Sequence, residues 1–228
     1  MGLFDFLSSK PTEKKQTEKL VNYVYNIVKN DSGVRVEDAI CLSATIVAER
    51  CIVLADEYNI NKHDFEPGSA IFSDKINELL AGSVAVENWS DVPSESIFGT
   101  IRDKIKSKFP IASFPSVIAI FENYAQYVGT AEWGNIPLTV PKDNAPFLFP
   151  LRAGYESRKY VEKHVSSENN TQSLSIAINA LTHILIETKT AINSSVALSL
   201  TFELINGMSK MATMTDDKMN ELNATLNG

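Results

Sequence analysis

The segment that most limits what this 228-residue chain can fold into is residues 171–214, TQSLSIAINALTHILIETKTAINSSVALSLTFELINGMSKMATM. It holds no proline and a single glycine, Gly207. Leu174, Ala177, Ile178, Leu181, Ile184, Leu185 and Ile192 recur at the three-or-four spacing of one helix face, as do Ala197, Leu200, Leu204, Met208 and Met211 further on. Val196, Leu198, Leu200, Phe202 and Leu204 also alternate strictly with their neighbours, which is the pattern of a half-buried strand. Helix is the better reading, because Leu198, Phe202 and Ile205 make a second helical stripe and no Asn-Gly or Pro-Gly turn separates candidate strands. A continuous helix of this length would reach roughly 60 Å, too long for a compact domain. Asn193, Ser194 and Ser195 cap helices better than they extend them, so the segment reads as a helical hairpin broken there.

The rest of the chain supplies helices to pack against this hairpin. Apolar periodicity and turn signals predict helices over about 12–29, 36–58, 74–80, 94–108, 115–128 and 150–164. The expected fold is all-α: an irregular bundle of about seven helices with the C-terminal hairpin and a proline-rich extended arm. An α+β fold, with strands over 174–205, is the alternative. Residues 1–19 read as an N-terminal segment and linker, 20–215 as a single helical domain, and 216–228 as a polar tail. The arm, residues 133–150 (WGNIPLTVPKDNAPFLFP), carries prolines at 137, 141, 146 and 150, each without an amide donor, so it cannot be a regular helix. Its Trp133, Ile136, Leu138, Val140, Phe147, Leu148 and Phe149 are too apolar to float free, so it lies over the helical body or against a partner.

Charge and cysteine usage narrow the function. A net charge of −7 disfavours binding to a phosphate backbone, so no nucleic-acid partner is expected. Cys41 and Cys51 fall in one predicted helix about 15 Å apart, too far to bridge, and reduced buried thiols suit a cytoplasmic protein. Residues 1–7 (MGLFDFL) lack a basic region and are too short for a signal sequence, and no stretch of eighteen apolar residues is present to span a membrane. Leu3, Phe4, Phe6 and Leu7 leave residues 3–7 as a weak docking segment for a membrane surface or a partner.

No motif specifies a chemistry. The chain has no Gly-rich phosphate loop, no Gly-x-Ser-x-Gly, no His-Glu-x-x-His and no Cys-x-x-Cys. His63, Asp64, Glu66 and Asp74 match no metal-ligand spacing, so neither a metal nor a cofactor is expected. His183 and Glu187, four apart, share a helix face, and Arg152, Tyr155, Glu156 and Arg158 cluster on another helix as a surface charge network. Glu49 reads as a solvated carboxylate beside Asp38, Thr45 and Asp56, and Arg50 as a structural ion-pair partner. Met208, Met211 and Met214 read as an adaptable contact surface.

Two functions are compatible with this pattern. The first is a non-enzymatic helical protein acting through protein contacts or self-association, with Trp133, Phe147, Phe149, Arg152, Tyr155, His183 and Glu187 as its binding residues. The second is a small-molecule-binding protein or hydrolase with a pocket between the helical body and the arm, for which Arg50, His63 and Asp64 join the polar lining. Convergence of those polar residues on one cavity would favour the second, and scattering the first.

Overall fold

The structure is a computed structural model that describes residues 12–128 and 136–226. It is an all-α bundle, with nine α-helices among the described residues rather than about seven: α1 (Glu13–Val28), α2 (Val36–Ala55), α3 (Asp74–Ala81), α4 (Ile97–Ile105), α5 (Val117–Ala125), α6 (Pro150–His164), α7 (Asn170–Thr188), α8 (Ser194–Ser209) and α9 (Asp216–Leu226). The expected C-terminal hairpin is α7 and α8, and residues 174–205 contain no strand. Asn193 caps α8, its side chain accepting from the amides of Ser195 and Val196 at 2.9 and 3.4 Å. The expected turn after α1 closes as a minimal antiparallel pair, Lys29–Asn30 with Gly33–Val34, turning at Gly33 with φ of 111°.

The hairpin is not the centre of the bundle. That place belongs to α2, which packs against α8, α7, α6, α3 and α1. Sixteen of its twenty residues are buried, on every side of the helix. Its sequence permits this because Ala39, Ser43, Ala44, Ala48, Cys51 and Ala55 are small, so several neighbours approach its backbone at once. One-sided burial on the stripe Ile40, Val47, Cys51 and Leu54 would have left Asp38, Thr45 and Glu49 in water, and instead all three are buried. Cys41 and Cys51 are both free and buried, as expected.

Side chains of α4, α5 and α8 meet the loop before α4 in an aromatic core. Phe202 is fully buried, with its ring centroid 4.6 Å from Trp89 and 5.0 Å from Phe98. Trp89 donates its indole N–H to the Pro115 carbonyl at 2.7 Å, so its polar atom is satisfied within the core. Arg102 turns back from α4 to donate to the Trp89 and Val92 carbonyls and holds this loop down. The three methionines are also core rather than surface: Met208 and Met211 pack with Ala48, Tyr124 and Leu151, and Met214 is buried. The polar tail forms α9, tied to α6 by Tyr155 donating to Asp216 at 2.6 Å and by the Lys159–Asp216 ion pair at 2.8 Å.

Truncating Phe202 to alanine removes the ring shared by these aromatics and is expected to lower the unfolding free energy by about 3–5 kcal/mol. Phe72, 76% exposed, provides the control. Its alanine variant is expected to stay within about 0.5 kcal/mol of the parent in the same urea titration.

Candidate functional site

The arm is held to the body by polar contacts from three helices. At the start of α2, Asp38 Oδ1 accepts the backbone N–H of Phe147 at 2.7 Å and of Leu148 at 3.1 Å. Glu37 accepts from the Asn144 amide at 2.8 Å, and Arg35 donates to the Asp143 carbonyl at 2.8 Å. From α8, Glu203 accepts both the backbone N–H and the hydroxyl of Thr139, and from α5 Asn123 donates to the Pro137 carbonyl at 2.8 Å. Ile136 lies so close to α8 that a β-carbon on Gly207 would come within 2.7 Å of it. Prolines at 137, 141 and 146 deny the segment a helical ladder, so the amides of Thr139, Phe147 and Leu148 pair with side chains of the body, and the strap's helical structure is one 3-10 turn, Lys142–Asn144.

Strapping leaves part of the apolar sequence outside. Phe147 is 84% exposed and Phe149 is 49% exposed. The Phe147 ring does not swing freely, because the Arg35 guanidinium stacks on it at 3.7 Å from the ring centroid. Beside it Ile136, Leu138, Pro146, Leu148 and Leu204 line a cleft of about 360 Å³. A projecting aromatic and an apolar recess therefore stand next to each other on one face.

The other expected binding residues do not join them. Trp133 lies outside the described residues, as does the segment 3–7. Arg152 is exposed on α6 and pairs with Glu156 at 3.0 Å. Tyr155 lines a separate polar recess between α6 and α9 with Asn61, Glu162 and Lys163. His183 and Glu187 contact each other at 3.1 Å on the face of α7 toward α1, where Glu187 accepts from the Tyr25 hydroxyl at 2.7 Å. Arg158 leaves its expected surface network altogether: it is buried and donates to the Ile60 and Met214 carbonyls, stitching two loops to α6. His63 bonds to the Thr213 hydroxyl at 3.1 Å, and among the described residues no group of His, Cys, Asp and Glu could hold a metal ion. The candidate polar lining is scattered over the fold.

Two charged sites, the neighbouring Glu49 and Arg50 and the separate Lys210, have a character the sequence reading missed. Glu49, expected in solvent, is 2% exposed, and Oε2 has no hydrogen-bond partner among the described residues. Its carboxyl faces α6 where Gly154 leaves room, since a β-carbon there would stand 2.7 Å from Oε1. Burial pushes its pKa up to about 7, with Glu162 adding to the rise and Arg158 and Arg50 opposing it. Arg50, also buried, has Nε and one terminal nitrogen without a partner among the described residues. The second is Lys210, 8% exposed, whose pKa burial pushes down to about 7. A signal was present: Glu203 and Lys210 are the charged residues between Ile192 and Thr215, an otherwise uncharged stretch whose helix had to be buried.

The fold so defined is an all-α multi-helix bundle. No protein-family model matches the chain, and no curated protein or solved structure matches it. Among the described residues no helix is long and apolar enough to cross a membrane.

Raising the Glu49 pKa in the folded state means that the folded protein binds the proton more tightly than the unfolded chain. The stabilisation is present below about pH 4.5 and is lost as pH rises toward 7. Glu49→Gln removes this dependence and leaves every other titrating group in place. Between pH 5 and pH 8 the parent is expected to lose on the order of 2 kcal/mol relative to the variant. Paired urea titrations at the two pH values measure it.

Proposed function

We propose that this protein is a non-enzymatic contact module that acts by pairing with a second copy of itself through the arm face. The observation that carries the reading is the pinned Phe147, a large aromatic 84% exposed while its amide and its ring are both held by side chains of the α2 start. An aromatic fixed in place loses little entropy on association, which is the property of an interface anchor. The adjacent cleft is the complementary feature. With ring and recess side by side, a two-fold axis seats each Phe147 in the other copy's cleft, against Leu138, Leu148 and Leu204. The placement of His63, Arg152 and the His183–Glu187 pair on three separate faces also supports contact rather than catalysis.

The apolar sides of α7 and α8 are covered by the bundle, so the surface offered for self-association is the arm. Light scattering on the eluting protein is expected to give twice the chain mass, and Phe147→Ser with Phe149→Ser is expected to give a folded single chain with unchanged far-ultraviolet circular dichroism. A single-chain mass for the parent at concentrations up to about 1 mM would overturn the reading. Asp38→Ala leaves two arm amides without an acceptor while keeping both aromatics. It is expected to weaken pairing about tenfold through lost preorganisation, measured by sedimentation equilibrium.

A further inference from the structure

A second cleft, sharing no lining residue with the arm cleft, lies between α3, α5 and the end of α8. It has a volume of about 410 Å³ and is walled mainly by Phe72, Val84, Ile118, Phe121 and Tyr124, with Lys210 among its lining residues. The lysine is built into place. Its carbonyl accepts from the Ile71 amide at 2.7 Å and from the Tyr124 hydroxyl at 3.1 Å, and its own amide donates to Gly207 at 3.1 Å. Its ammonium lies 4.3 Å from the centre of the Phe121 ring and donates no hydrogen bond to a described residue.

A buried cation ordinarily stands beside a carboxylate. Here the nearby titratable groups are the Cys51 thiol and the Tyr124 hydroxyl, both pushed up to about 12 by burial and therefore neutral, while Glu122 sits exposed at the rim. Among the described residues no carboxylate meets the Lys210 ammonium, and burial pushes its pKa down to about 7, so a single negative charge brought beside it favours the charged form. Asn77 lines the same wall, and its buried Oδ1, an acceptor without a partner among the described residues, calls for a donor and makes no contact with a carboxylate. The mouth is apolar too, with Phe72 76% and Val84 44% exposed, so a ligand with an apolar body covers surface that the fold leaves in water.

We propose that this cleft binds a monocarboxylate with an unbranched apolar tail, its carboxylate against the Lys210 ammonium and its tail along Phe72, Val84, Ile118 and Phe121. One cation without a second basic group selects one negative charge rather than a phosphate dianion, and an apolar wall of this size selects a chain rather than a small polar acid.

Decanoate and decanol, equal in chain length and different in charge, serve as probes in isothermal titration calorimetry with the full chain below the micelle-forming concentration. Decanoate is expected to bind at least tenfold more tightly than decanol. Lys210→Met, which keeps the length of the side chain and removes the charge, is expected to abolish that preference while the melting temperature stays equal or rises. Val84→Asp, at an exposed position where folding is not at stake, is expected to weaken decanoate at least fivefold and decanol much less. Equal affinity for both probes in the parent, binding of neither, or a decanoate preference that survives Lys210→Met would each overturn the proposal. Should Lys210→Met fail to fold, the Val84→Asp comparison decides, and equal effects on both probes would sink the assignment.

Discussion

Burial of α2 on all sides is the constraint from which the rest of this structure follows. A helix at the surface needs one apolar stripe, but a helix surrounded by α1, α3, α6, α7 and α8 must settle every polar residue it carries. Its small residues solve the packing half of that problem by letting neighbours come close, and Gly154 on α6 extends the same solution across the contact. The polar half is solved unevenly. Ser43 donates to the Ala39 carbonyl within the helix at 2.7 Å, and Asp38 captures the arm, whereas Thr45, Glu49 and Arg50 keep buried atoms without partners among the described residues.

That unevenness links the core to the surface. Asp38 lies in the first turn of α2, where a carboxylate already suits the helix dipole, and the same oxygen fixes the backbone at Phe147 and Leu148. The arm is therefore positioned by the most buried element of the bundle, and its exposed aromatics inherit that rigidity. Glu203 does the same at the other end of the strap: burial pushes its carboxyl pKa up, and the two hydrogen bonds from Thr139 pull it back toward the charged form.

Lys210 is the contrasting case. Glu203 finds donors in the arm, but Lys210, seven residues later on the same helix end, is turned into an apolar recess with an aromatic face for company. Cation–π attraction offsets part of the desolvation cost and does not replace an anion. Glu203 within α8 thus clamps the strap, while Lys210, at the C-cap of the same helix, opens onto a cleft.

The all-α class, the helical hairpin with its Asn193 cap, the break-up of the arm by proline and the free cysteines were legible in the sequence, because periodicity, capping and amide loss act over a few residues. The core stripe of α4, with Ile97, Phe98, Ile101 and Ile105, was legible for the same reason, and all four are buried. Sequence also showed that the arm could not float, yet not which of its aromatics would stay outside; Phe147 and Leu148 are adjacent, and only the Arg35 and Asp38 contacts decide their orientation. The surroundings of Glu49, Arg50, Arg158 and Lys210 were equally out of reach. A charged residue looks alike in a sequence whether its helix has one neighbour or five, since burial and pKa depend on what distant segments bring to it. Tertiary structure alone made α2 the centre, turned three methionines inward and left one lysine facing an apolar cleft.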